Sequence, residues 1–307
     1  QQELLNMIIV GGGATGIEVA GILSEMKKFV LPNDYPDMSS SLMHIYLIEA
    51  GPRLLAGMSE ESSAHAEQFL REMGVNILLN KRVVDYRDHK VVLEDGTEIA
   101  TRTFIWVSGV TGVTIGNLDA SLIGRGGRIK VDSFNRVEGM NNVFAIGDQC
   151  IQLADENYPN GHPQLAQVAI QQGELLAKNL IRMEKGQEMK PFHYRNLGSM
   201  ATVGRNRAVA EFSKVKMQGW FAWVMWLVVH LRSILGVRNK VIVLLNWVWN
   251  YFTYDQSMRM IVYARKAKEI RDREKVEETT HWGKELIQEP KQHSPQEIQQ
   301  ASEQEKK

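Results

Sequence analysis

The sequence predicts a doubly wound α/β domain followed by a tryptophan-rich helical end, and three observations carry this. Short apolar runs at 4–10 (LLNMIIV), 44–49 (HIYLIE) and 75–79 (VNILL) alternate with helical patterns at 14–29 and 60–73. That order suits a parallel sheet covered by helices. A glycine-rich string, Gly11-Gly12-Gly13-Ala14-Thr15-Gly16, stands between the first strand and the first helix, and five of the seven tryptophans fall between Trp220 and Trp249.

Each element has a local reason. The run 4–10 ends in β-branched residues and stops at Gly11, as a buried parallel strand does. Residues 14–29 offer Ile17, Ala20, Gly21 and Ile22 for packing. Residues 31–41 (LPNDYPDMSSS) hold two prolines and several turn formers, which predicts a loop. Val83 to Tyr86, Val91 to Glu94 and Thr97 to Ile99, with Asp95-Gly96 between the last two, predict an antiparallel β-meander. A strand at 103–107 closes at Ser108-Gly109. Beyond it, strands are expected at 128–131 and at 143–146 (VFAI), the latter ending at Gly147-Asp148. A long helix fits 164–185, where Leu165, Val168, Ala169, Leu175 and Leu176 recur, and Gly-containing strands fit 198–212. From 264 the chain is charged, and its last part, rich in Gln, Glu and Lys, is expected to be disordered. The implied domains are 1–107, 108–215, a helical region at 216–263 and a tail at 264–307.

Composition narrows the function. Lys+Arg and Asp+Glu both total 36, so no overall charge invites a nucleic acid. The single Cys150 excludes an internal disulfide framework, a redox-active cysteine pair and a four-thiolate metal site within the chain, and it reads as a small buried residue. No metal site is expected. The chain opens on Gln1-Gln2-Glu3 with neither an initiating Met nor a signal peptide, so its start reads as a cut. No window reaches the roughly 18 uncharged apolar residues of a spanning helix, since His230 and Arg232 interrupt the run from Trp220 to Val229.

The glycine string has the G-x-G-x-x-G spacing. Gly11 makes the tight turn, Gly13 lets backbone approach a pyrophosphate, and Gly16 lets helix and strand pack closely. The helix N-terminus adds free N–H groups and a positive dipole end. Glu49, at the end of the next strand, can accept hydrogen bonds from a ribose 2′-hydroxyl and would repel a 2′-phosphate, which favours NADH over NADPH. Two features work against this. Glu49 lies 33 residues beyond Gly16, where about 20 is usual, and Arg53 could weaken the preference. The bland alternative is a glycine turn without a ligand.

Four segments together resemble the two-dinucleotide-domain flavoprotein reductases, and among them the type II NADH dehydrogenases. They are Ile8 to Glu18, Val143 to Asp148, Ala166 to Gln172 and Gly198 to Arg205. In such proteins the NADH domain is inserted into an FAD domain. The resemblance therefore implies a Rossmann-like NADH-binding domain with a meander, a partial second Rossmann-like FAD domain, and C-terminal amphipathic helices. It also implies that this chain is the C-terminal two-thirds of its kind, lacking a first FAD-binding segment. The implied reaction moves a hydride from NADH to FAD and two electrons on to a quinone, without proton pumping. Such chemistry rests on aligning rings rather than on a strong acid or base.

By that resemblance Gly147 and Asp148 belong to the second FAD motif, with the Asp148 carboxylate on the ribityl hydroxyls. A plain turn cap is the alternative for Asp148. Ala166 and Gln167 open a helix beside the flavin and the quinone, and Gln171 and Gln172 could hydrogen-bond a quinone carbonyl; solvent-exposed helix surface is the alternative for both. Ser108 and Gly109 resemble the turn that touches nicotinamide. Glu18 is implied at the junction of nicotinamide, flavin and quinone, where it could relay protons, against simple service to the helix dipole.

At the other end, residues 219–235 put Trp220, Trp223, Leu227 and Ile234 near one helical face, flanked by Trp226, and 239–254 add Val241, Leu244, Leu245, Trp249 and Phe252. Two such stretches flanked by cations fit helices lying in a lipid interface, and Arg259, Arg265, Lys266 and Lys268 could add attraction to anionic lipid. A dimer interface or a core is the alternative. A peripheral position on the cytoplasmic face of the cell membrane and a homodimer are what the resemblance implies. Two other functions stay open: a soluble NADH-dependent reductase for an iron–sulfur protein, and a non-enzymatic nucleotide-binding membrane module.

Overall fold

The computed structural model describes residues 2–37, 39–113, 115–213 and 215–253. The chain divides into two compact units, residues 1–248 and 249–307, and the elements below belong to the first except for the last residues of the final helix. The expected tail at 264–307 and the cations from Arg259 to Lys268 lie outside the described residues.

A helical turn, α1 (Gln2–Leu5), leads into β1 (Asn6–Val10) and α2 (Ala14–Glu25). The expected loop at 31–41 begins only at Tyr35. Before it the chain passes through a π-helical turn at Met26–Val30 into α3 (Leu31–Asp34). Pro32 sits in the first turn of α3, where its missing N–H costs nothing, so proline here starts a helix rather than breaking one. Next come β2 (His44–Ile48), α4 (Glu60–Glu72), β3 (Val75–Leu78) and the meander of β4 (Val83–Arg87), β5 (Lys90–Leu93) and β6 (Glu98–Ala100), then β7 (Thr103–Trp106).

The parallel sheet runs β3-β2-β1-β7, a Rossmann-like order. Its faces follow the two-residue period of strands. Ile8 and Val10 meet Ile48, Val91 and Leu93 on the meander side. Ile9 meets Ile17, Leu47 and Leu70 on the helix side. Each of these four is fully buried, which contributes about 1.5–3 kcal/mol apiece. Val10 pairs with both Ile48 and Trp106, so β1, β2 and β7 end at one level. That register gathers the residues after each strand into one site.

The second half is less regular. β8 (Ile129–Val131) and β9 (Cys150–Gln152) pair in parallel, and α5 spans Ala166–Glu184. The expected strand at 143–146 does not form. Phe144 makes a single bridge to Arg136, and Val143 and Ile146 are exposed. Residues 135–137 run antiparallel beside it, with Val137 N–H donating to Val143 at 2.9 Å and Ala145 N–H to Asn135 at 3.0 Å, but the pairing stops at this bridge and no strand results.

β10 (Ser199–Thr202), β11 (Ala208–Phe212) and β12 (Val215–Gln218) form an antiparallel sheet. It covers α2 and α4: Ala201, Val203 and Val209 share their core. The approach is backbone to backbone, since a Cβ on Gly21 would lie 2.7 Å from the Gly204 amide nitrogen. α6 (Gly219–Ser233) lies on the far side of this sheet, with Ala222 against Ala208 and Ala210, and α7 spans Val237–Thr253. Trp223 turns inward onto that cluster. The outward face of α6 is instead carried by Phe221, Met225 and Val228, spaced as neighbours on one side of a helix.

Candidate functional site

The 11–16 turn has the shape its glycines predict. Gly11 has φ +115, and a Cβ there would press on the Ser108 and Val107 backbone at 3.0 Å; a Cβ on Gly16 would sit 1.8 Å from the Gly11 carbonyl oxygen. Gly13 has nothing within 4 Å of a Cβ position, and it caps α2 without a side-chain hydrogen bond. The first turn of α2 thus faces open space with its N–H groups unclaimed by any side chain, a cradle for an anionic ligand.

Glu49 closes one side of this turn. Its carboxylate accepts from the Gly12 amide at 2.6 Å and the Gly51 amide at 2.7 Å, which fixes its position at the end of β2. Arg53 turns away and donates to the carbonyls of Met58 at 2.8 Å and Ala56 at 2.9 Å. Its guanidinium caps a turn and is not held out beside Glu49. Ser108 and Gly109 are exposed beyond β7, against Gly11.

A second cluster forms where the Gly147 turn meets α5. Gly147 has φ +65, a Cβ on it would lie 3.1 Å from the Ala169 Cβ, and its amide donates to Gln172 Oε1 at 2.7 Å. Gln172 is 1% exposed, so it is neither solvent-facing helix surface nor open to a ligand. Asp148 is exposed; its backbone carbonyl accepts from Gln164, and Leu165 gives α5 no side-chain cap. Ala166 and Gln167 therefore begin a helix whose first N–H groups are uncapped beside an exposed carboxylate.

The amides of α5 grip an irregular strip of chain. Gln167 donates to the Gly198 carbonyl and accepts from the Leu197 amide, both at 3.0 Å. Gln171 does the same with Arg195 at 2.9 and 3.1 Å, and Asn179 with Lys190 at 2.8 and 2.9 Å. A ligand carbonyl would have to displace the Arg195 pair to reach the Gln171 amide. Cys150 is buried beside Gln172 and Asn135, and burial pushes its thiol up from the ordinary value, away from a reactive thiolate.

β10 joins the two clusters. It starts beside Gly198, held by Gln167, and ends at Thr202, whose polar groups favour the ionised form of Glu18. Four residues of strand separate these points, about 13 Å. Burial pushes the Glu18 carboxyl above its usual range, opposed by the Thr202 hydrogen bonds and by the charge of His230. Sequence reasoning missed Thr202 and His230, which no short-range pattern connects to Glu18. The burial of Gln172 and Asn179 did have a signal: with Val168 they stand at i, i+4 and i+11, on one helical stripe.

Residues 1–173 match the family described as pyridine nucleotide-disulphide oxidoreductase, and residues 196–254 match the NDH2 C-terminal domain. Type II NADH:quinone oxidoreductase NdhA of Mycobacterium tuberculosis is 34% identical over 260 residues, 80% of this chain and 54% of that protein. The internal alternative NAD(P)H-ubiquinone oxidoreductase A1 of Arabidopsis thaliana mitochondria is 32% identical over 269 residues, 82% of this chain and 52% of that protein. NDH2 from Plasmodium falciparum, solved in complex with NADH, superposes with a TM-score of 0.75 at 19% identity, covering 84% of this chain and 68% of that one. The chain belongs to the pyridine nucleotide-disulphide oxidoreductase family. Within it, its branch is that of the type II NADH dehydrogenases. It spans about half the length of the curated relatives it matches.

Proposed function

We propose that the protein is an FAD-dependent NADH:quinone oxidoreductase of the non-pumping kind, peripheral to a membrane. The observation that carries this is the open, uncapped start of α2 with Glu49 fixed at its side. Gly11, Gly13 and Gly16 would admit the pyrophosphate of NADH, and Glu49 its ribose hydroxyls. The engagement of Arg53 with carbonyls supports NADH over NADPH, because no free guanidinium beside Glu49 offsets its repulsion of a 2′-phosphate. Ser108 and Gly109 would flank the nicotinamide.

The residues around Gly147 fit FAD: an exposed carboxylate at Asp148 suits the ribityl hydroxyls, and the bare first turn at Ala166 and Gln167 suits the electron-rich edge of a reduced ring. Bound there, flavin would supply the capacity to accept a hydride and release electrons to a quinone. Gln167 and Gln171 would then shape the quinone side by holding the 195–198 strip, and Glu18 would handle a proton.

Among the described residues no helix is long and apolar enough to cross a membrane. The exposed Phe221, Val228, Val241 and Leu245 on α6 and α7 suit shallow burial in a lipid interface. The cytoplasmic face of the cell membrane and a homodimer complete the reading. The test is steady-state NADH oxidation by the full-length flavoprotein with a short-chain quinone, repeated with NADPH, beside a vesicle-flotation assay. Expected are quinone-dependent turnover, an NADH preference that Glu49→Gln lowers by about tenfold, and flotation with vesicles. Equal rates with both nucleotides undo the role of Glu49. Recovery in the soluble fraction alone counts for a soluble reductase.

A further inference from the structure

A buried acid–imidazole pair stands behind the strip that α5 grips. Asp155 and His162 are each 4% exposed, and His162 Nε2 lies 3.0 Å from Asp155 Oδ2. The other carboxylate oxygen accepts from the Asn157 amide at 3.0 Å. Burial alone would raise the Asp155 carboxyl, but the hydrogen bonds from His162 and Asn157 outweigh it and hold the carboxyl below its usual range. An ionised carboxylate only accepts, so Nε2 carries a proton whatever the charge of the ring. On one side of the pair lies the entry to α5. The His162 carbonyl accepts from the buried Arg128 of β8 at 3.0 Å, and α5 begins four residues later at Ala166. On the other side the imidazole meets the Phe192 ring edge-on, with centroids 5.2 Å apart and planes at 85°, and the Tyr194 ring at 6.0 Å and 71°. Tyr194 leads directly into Arg195, whose backbone Gln171 holds, and Gln167 holds Leu197 and Gly198 beyond it.

His162 Nδ1 and Tyr194 Oη are buried with no hydrogen-bond partner among the described residues. Polar groups left in that state destabilise a fold. Apolar side chains would fill the same box without the penalty, so stability does not account for the pair. What it adds is direction, because a bonded imidazole presents one fixed plane to the rings packed on it. We propose that Asp155 and His162 are positioning residues for the quinone side of the site, setting where the 195–198 strip meets Gln167 and Gln171. This rests on the quinone-reductase reading above. Asp155 aims the imidazole, the imidazole seats Phe192 and Tyr194, and these deliver Arg195 to Gln171. Both residues act at one remove, through the strip.

The test is amide hydrogen exchange in the flavin-loaded full-length protein, read at Arg195 and Leu197, with the Gly12 amide on Glu49 as the reference. The Asp155→Asn side chain has one carbonyl oxygen where the carboxylate has two acceptors, so it serves the Asn157 amide or the imidazole but not both. Exchange at Arg195 and Leu197 should quicken by about fivefold, the worth of one hydrogen bond, with Gly12 unchanged. His162→Phe, which keeps a ring but loses the donor, should do the same, and His162→Gln, whose amide restores a donor, should recover part of the loss. Either position carries the test if variants at the other do not fold. KM for a short-chain quinone should rise in step, with KM for NADH unchanged. Wild-type exchange at Arg195 and Leu197 in a folded Asp155→Asn protein overturns the proposal. Equal quickening at Gly12 overturns it too, since that is general loosening. The expected quickening in a protein whose wild type reduces no quinone upholds the hold on the strip and sinks the quinone reading instead.

Discussion

The two glycine turns of this molecule, at 11–16 and at 147–148, are built on different principles. The first is made of backbone. Its strand pairs on both sides, its helix follows at once, and Gly11 and Gly16 are required because other backbone atoms lie where a Cβ would go. The second follows a segment that pairs only briefly, with 135–137 on one side, and a buried glutamine from a helix 25 positions away holds its amide. A turn boxed in by main chain is stiff. A turn dictated by a distant side chain is only as firm as that contact.

The largest effect expected from this contrast is at Gly16. Gly16→Ala drives a Cβ into the Gly11 carbonyl, and overpacking of this kind costs roughly 3 kcal/mol. Expressed in binding, that is about a hundredfold loss of NADH affinity, measurable by calorimetry. An alanine variant with unchanged affinity would show that the turn is softer than its contacts imply. Gln172→Ala should come next. It leaves the Gly147 amide without an acceptor in a buried setting, a cost of about 2 kcal/mol. Thermal unfolding should shift down, and flavin affinity of the full-length protein should fall while NADH affinity holds; equal losses of both would erase the distinction between the two turns.

The smallest effect tests the layer behind the first turn. Glu211 of β11 accepts from the Ser59 amide and hydroxyl at the start of α4. Burial alone would raise the Glu211 carboxyl, but the hydrogen bonds from Ser59 and Ser62 outweigh it and hold the carboxyl below its usual range. A depressed carboxyl stabilises the fold above the unfolded-state value of about 4.3, and loses that contribution as pH falls through the folded-state value. Glu211→Gln should therefore cost about 1 kcal/mol at neutral pH, and the gap in unfolding temperature from wild type should close as pH falls through the depressed folded-state value. A gap that persists in acid would mean the carboxylate is not its source.

This contrast also explains what could be read from residues alone. Strands β1 to β7 and the meander follow from apolar runs and an Asp-Gly turn, because each strand's own pattern is local even though β1 pairs with β7 from far along the chain. The expected strand at 143–146 shrinks to a bridge because its pairing with 135–137 covers only a few residues, a length the apolar run does not announce. The two prolines after α2 suggested a loop, yet Pro32 occupies a first helical turn where it is at home. At the site, Gly11, Gly13, Gly16 and Glu49 were legible as a spaced motif. Gln167 and Gln171 were visible as polar residues, but their grip on 195–198 depends on where an irregular strip happens to lie. Trp223 was assigned to the outward face of α6, and only the position of the β10–β12 sheet shows that it points inward.

The contact between Gly21 and Gly204 has a mechanical meaning. No side chain stands between these two glycines, and beside them the Glu25 side chain of α2 accepts from the Arg205 amide, so α2 and the β10–β11 turn are joined both main chain to main chain and by a side chain. Such a joint transmits displacement without a cushion. A displacement of α2 along its axis is therefore expected to reach the β10–β11 turn. The amide protons of 201–204 should accordingly exchange more slowly when NADH is bound, although none of them touches it.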